Sequence, residues 1–127
     1  FLAASGRIAL ADVTIDCRNE FAAVMVISLD GLALADSRSV LIQAMTQERP
    51  YGFRAAGGRI ADLGEAPFGV RKIAATVTLK LTGTTPAKVT ALDENGYARK
   101  DPVPATAGAS GLTIHLLPDA LYHVVKR

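Results

Sequence analysis

A chain of 127 residues with a net charge of +2, its 14 basic residues scattered among 12 acidic ones, is one domain with mass enough for a real core. No Lys/Arg stripe interleaves with aromatic residues, which sets nucleic acid aside as a partner, and no apolar run is long enough to span a membrane. Half of the residues are hydrophobic (50%) but only 6% are aromatic, so the expected core is aliphatic and alanine-rich, with an apolar partner-facing surface as a natural companion.

The opening Phe-Leu-Ala-Ala has no initiator methionine and no charged n-region, so the chain is expected to be part of a longer protein with any export signal upstream. The first strand is "VTIDC", where Val13, Ile15 and Cys17 share one face and Thr14 and Asp16 the other, the period of two that marks a sheet with one buried side. Cys17 is the sole cysteine, so no disulfide forms within the chain, and on that face it reads as a small core residue. In "FAAVMVISLDGLAL" and "SVLIQAM" the alternation changes character. Val24 and Val26 oppose Met25, Ile27 and Leu29, and Val40 and Ile42 oppose Leu41 and Met45, so both faces are apolar and something must cover the second one. Asp30-Gly31 is expected to make a hairpin turn, and Asp36-Ser37-Arg38 the next bend.

The segment from Gln47 to Lys72 resists the strand reading. It holds four arginines before Lys72, three aromatic rings, paired glycines at Gly57-Gly58 and two prolines, with no sustained alternation except near Arg59 to Leu63. It therefore reads as a long loop, and long loops in compact domains are usually functional or interfacial. Tyr51, Phe53 and Phe68 can offer flat faces to sugar rings, with Glu48, Arg49, Arg54 and Asp62 as hydrogen-bonding partners for hydroxyls. The competing expectation is that these rings tuck under the loop and close the sandwich edge.

From Lys72 onward the chain reads as strand and turn in alternation. In "ATVTLKL", Ala75, Val77, Leu79 and Leu81 face inward. After a turn at Gly83 to Pro86 comes "KVTALD", then Asn95-Gly96, a dipeptide suited to the positive φ angles of a tight hairpin, then a return strand from Tyr97 to Val103. "GLTIHLL" places Leu112, Ile114 and Leu116 inward, and Pro118-Asp119 turns the chain into a last strand from Ala120 to Val125. Prolines here are expected only between strands. Tyr97, just past the hairpin glycine, is expected to be exposed and joins the candidate ligand-binding residues, while Tyr122 can point either way.

Catalytic patterns are absent from this sequence. No Gly-x-Ser-x-Gly elbow occurs, and Ser37, Ser39 and Ser110 have no local activating partner. His115 and His123 are expected on adjacent strands, as solvent-facing side chains without a third metal ligand. Asp16, Glu20, Asp62, Glu65, Asp93 and Glu94 are expected on strand surfaces or turns rather than paired across a cleft. "DENG" is too short for a calcium loop of the helical-hand type, and no glycine-rich phosphate cradle opens a helix. No catalytic residue, metal or cofactor is therefore assigned.

The run "FAAVMVISLDGLALADSRSVLIQAM", a variable loop, then "ATVTLKL", "KVTALDENGYARKDPV" and "GLTIHLLPDALYHVV" resembles the C-terminal β-sandwich that follows the catalytic barrel in bacterial glycoside hydrolases. The likeness lies in strand order and in the phrase "SLDG.PL..S..LLL.A", represented from Ser28 through Ala44, and covers about Asp12 to Arg127. It implies a noncatalytic domain of a carbohydrate-active enzyme, secreted or periplasmic, that either binds polysaccharide or packs on the barrel. The barrel's catalytic acids have no counterpart in this chain. The lack of tryptophan departs from modules that stack indole rings on crystalline polysaccharide, which leaves a shallow site on Tyr51, Phe53, Tyr97 or Tyr122.

The expectation is thus a single all-β domain over residues 1–127, an antiparallel sandwich of immunoglobulin-like or jelly-roll-like type with about eight to ten short strands. Its first functional reading is a carbohydrate-binding module for polysaccharide or oligosaccharide, using Glu48, Arg49, Tyr51, Phe53, Arg54 and Tyr97. The alternative is a structural accessory domain that docks on the catalytic domain of the parent enzyme and self-associates through its apolar strands when isolated.

Overall fold

The computed structural model describes residues 5–83 and 85–127. The opening Phe-Leu-Ala-Ala and Thr84, within the expected turn at Gly83 to Pro86, lie outside the described residues. Among the described residues there are fourteen strands, more than the sequence suggests. They are β1 (Arg7–Ala9), β2 (Val13–Cys17), β3 (Ala22–Ser28), β4 (Ser39–Thr46), β5 (Glu48–Tyr51), β6 (Arg54–Ala56) and β7 (Arg59–Asp62). In the second half come β8 (Glu65–Val70), β9 (Ala75–Leu79), β10 (Lys88–Leu92), β11 (Ala98–Pro102), β12 (Ala105–Gly108), β13 (Gly111–His115) and β14 (Tyr122–Lys126).

Two five-stranded antiparallel sheets form the sandwich, one in the order β1-β2-β9-β13-β12 and the other β11-β10-β14-β4-β3. Alternation fixes which side chains meet between them. Val13, Ile15 and Cys17 of β2, Val77 and Leu79 of β9 and Ile114 of β13 are buried from the first sheet; Val40, Ile42 and Ala44 of β4 and Val125 of β14 are buried from the second. Burial of this aliphatic set, with Ile42, Val77, Leu79 and Ile114 each 0% exposed, is the main term holding the sheets together. In-register pairing of Thr14 with Thr78, and of Thr78 with Thr113, lays a threonine row on the outer face of the first sheet, where the Thr78 and Thr113 hydroxyls lie 3.1 Å apart.

Three local expectations are corrected. Asp30-Gly31 turns the chain, but no strand resumes until Ser39. The segment between is instead organised by the Asp30 carboxylate, which accepts from the Ser28 hydroxyl (2.7 Å), the Ser37 hydroxyl (2.9 Å) and the Arg38 amide (2.6 Å). At the β10–β11 turn only Gly96 has positive φ, Asn95 does not, because the Asp93 carboxylate accepts the Asn95 and Tyr97 amides and closes a longer turn. Pro102 ends β11 rather than lying between strands, which an edge strand tolerates because a missing N–H there breaks no central ladder.

The largest correction concerns Gln47 to Lys72, which is an arm of paired strands and not a loop. β5 pairs with β8 and β6 with β7, all antiparallel, and Pro50 and Pro67 lie within these strands. Gly57 and Gly58 both take positive φ, +57° and +75°, the two-residue turn whose twist matches paired strands. Every residue of β6, β7 and β8 is exposed. An arm with water on both faces has no inward side for a hydrophobic period to mark.

Candidate functional site

The residues chosen from sequence separate into two places. Glu48, Arg49 and Tyr51 lie on β5, Phe53 at the bend after it and Arg54 on β6, all on the arm. Tyr97 is carried by the β10–β11 turn. Tyr51 and Tyr97 are 74% and 73% exposed, so both rings are free to meet a ligand. Phe53 is only half-buried, and the Arg49 guanidinium sits 4.6 Å from its ring centroid, a cation–π contact that occupies one face. Arg54 is engaged by Asp62 across the β6–β7 pair at 3.1 Å. The arm therefore presents Tyr51, whose strand neighbour is Glu65, and Phe68, which is 63% exposed and whose strand neighbour is Pro50.

Two further surfaces stand out, the first expected from the sequence and the second not. The first is the outer face of β3 and β4. Met25 (48% exposed), Ile27 (40%) and Met45 (52%) point to solvent there, and register places Ile27 beside Leu41 and Ala23 beside Met45. The apolar second face read from the sequence is uncovered among the described residues. β3 is also an edge strand, seven residues long, Ala22-Ala23-Val24-Met25-Val26-Ile27-Ser28, with no charge and no proline. Natural edges are normally protected by one or the other.

The second surface is a cleft of about 490 Å³ at the end of the sandwich. Four segments converge on it: the end of β4, the base of the arm, the β10–β11 turn and the loop before β14. Ala44, Ile73 and Ala120, all buried, contribute its apolar lining. Its walls are tied by backbone bonds from Ile73 N to Pro118 O (2.9 Å) and from Ala44 N to Leu121 O (2.8 Å). Arg99 adds a side-chain tie, donating to Asp101 at 3.0 Å and to Asp119 at 3.2 Å. Hydrogen bonding to Arg99 holds the Asp119 carboxyl below the usual carboxylate range, and the same bonds raise Arg99.

The histidines are corrected as a pair. His115 is exposed on β13 of the first sheet, whereas His123 is on β14 of the second and 0% exposed, so they are neither adjacent nor both solvent-facing. Burial, followed by the charge of Arg99, pushes His123 down to about 4. Four hydrogen bonds, the Ser28 hydroxyl first, hold the Asp30 carboxyl well below its ordinary value, at the opposite end of the sandwich from the cleft. Among the described residues no group of three or more His, Cys, Asp and Glu is placed to hold a metal ion, and no helix is long and apolar enough to cross a membrane. Comparison with known proteins found no matching family model, no matching curated protein and no matching solved structure.

Proposed function

We propose that this chain is a noncatalytic accessory domain that docks through the outer face and free edge of β3 onto the catalytic domain of a carbohydrate-active enzyme. The observation that carries this reading is β3 itself, an unguarded edge strand whose outward Met25 and Ile27 are exposed. Water contact there is unfavourable by roughly 25 cal/mol for each Å² of apolar surface, and a protein surface laid against β3 removes it. The resemblance of Ser28 through Ala44 to the sandwich domains that follow glycoside-hydrolase barrels supplies the kind of partner. The domain then needs no catalytic group of its own. Sedimentation velocity and hydrophobic-dye binding on the isolated chain test the reading. Concentration-dependent association and strong dye binding, both removed by Met25→Lys with Ile27→Lys, are expected; a strictly monomeric chain that binds no dye would sink it.

A second reading, a carbohydrate-binding module that holds polysaccharide or oligosaccharide on the arm, is favoured by the exposure of Tyr51. Affinity electrophoresis against soluble plant and microbial polysaccharides, with Tyr51→Ala and Phe53→Ala as the comparison, tests it. Retardation by one glycan class that the double variant loses supports the module; no retardation by any removes it.

A further inference from the structure

We infer that the cleft at the base of the arm is a binding site for a small, neutral, polyhydroxylated molecule of about one or two sugar-ring units, a site separate from the exposed rings of the arm and independent of docking through β3. Size comes first: about 490 Å³ falls within the range of small-molecule pockets. The lining gives the class. Arg71, Lys72 and Arg99 face Asp93, Glu94 and Asp119 around the cleft, so cations and carboxylates balance and the rim attracts neither an anion nor a cation by net charge. A rim that carries both donors and acceptors suits hydroxyl groups, each of which donates one hydrogen bond and accepts others. The accessible apolar lining, from exposed Val70 and half-buried Leu92 and Leu121, matches the C–H face of a saturated ring.

The walls are also prepared for binding. Arg99 is already fixed by two carboxylates, and the Asp93 carboxylate is held by two amides of its own turn, so neither must be ordered when a ligand arrives. Arg71 and Glu94 have exposed side chains that make no hydrogen bond or ion pair with other described residues. Their polar groups are available to a ligand, and removing them leaves the fold's own contacts in place.

The test is titration of the whole chain with D-glucose, D-xylose, D-galactose and cellobiose, followed by amide chemical shifts, with D-galacturonate and D-glucosamine as charged controls. At least one neutral sugar is expected to shift the amides of Ala44, Ile73, Glu94 and Ala120 saturably. Arg71→Ala and Glu94→Gln should each weaken that binding roughly tenfold, while Tyr51→Ala leaves it unchanged. Absence of a saturable shift with every neutral sugar overturns the inference. So does binding that Tyr51→Ala abolishes and the cleft variants spare, which moves the site to the arm, and so does preference for either charged control. None of these outcomes depends on whether the isolated chain self-associates.

Discussion

The Nε2 atom of His123 accepts the backbone N–H of Leu117 at 2.9 Å, inside a sandwich that leaves the imidazole no contact with solvent. An accepting Nε2 carries no proton, so the neutral ring holds its proton on Nδ1, and Nδ1 has no partner among the described residues. Protonation would cancel the Leu117 bond and bury a charge. Arg99 is the cation that acts on the ring, and it adds to the penalty.

This pair sets a pH dependence with a definite sign. His123 is depressed to about 4 in the folded chain, against 6.5 as its ordinary value, so between those values the unfolded state binds more protons. Stability should therefore be level above 6.5, fall as pH drops through that value, and flatten again near 4, with a total loss on the order of 3 kcal/mol. Urea unfolding at a series of pH values checks it. His123→Gln keeps an acceptor that does not titrate and should remove most of the slope.

At the other end of the sandwich, Asp30 contributes a dependence of the same sign at lower pH. Its carboxyl is held below its ordinary 3.8, so its contribution is present above that value and is lost as acid approaches the folded value. Asp30→Ala should lower Tm and expose the segment from Gly31 to Asp36 to limited proteolysis, because four donors lose one acceptor. Unchanged protease sensitivity would show that the segment is held by other contacts, chiefly those of Arg127 to Ser37 and Ala35.

The core and the outer face of β3 should respond differently to substitution. Leu79 is 0% exposed between the sheets, and Leu79→Ala should cost about 2 to 5 kcal/mol. Met25→Lys, on the solvent side of β3, should change stability by no more than about 0.5 kcal/mol and alter association instead. Chemical denaturation of both variants distinguishes the two faces of one sandwich.

The arm should behave as a separately yielding unit. Gly64 has φ +68°, and a Cβ there would strike the Tyr51 carbonyl and the Phe53 amide, so Gly64→Ala strains the bend joining the two strand pairs. Two-stranded pairs are marginal in water. Hydrogen exchange should therefore quicken at Arg54 and Asp62 in this variant, while Ile42 and Val77 in the core exchange as before. Equal acceleration in the core would mean that the arm and the sandwich unfold together.

The all-β sandwich, the inward sets Val13-Ile15-Cys17, Val77-Leu79 and Leu112-Ile114-Leu116, and the doubly apolar β3 and β4 were all legible in the sequence. Each has a buried side, and a period of two records which residues occupy it. The arm was not, although Gly57-Gly58 between short polar-apolar stretches was a hairpin signal, because strands wet on both faces carry no such record. His123 was misread for a different reason: its alternation with Tyr122 places it on one of two faces, and only the pairing of Ala91 with His123 and of His123 with Ile42 settles that its face is the core. The cleft was beyond local reading altogether. Arg71, the Glu94–Arg99 hairpin and Asp119 are far apart in the chain, and they line one cleft because strand register brings four segments to the same end of the sandwich.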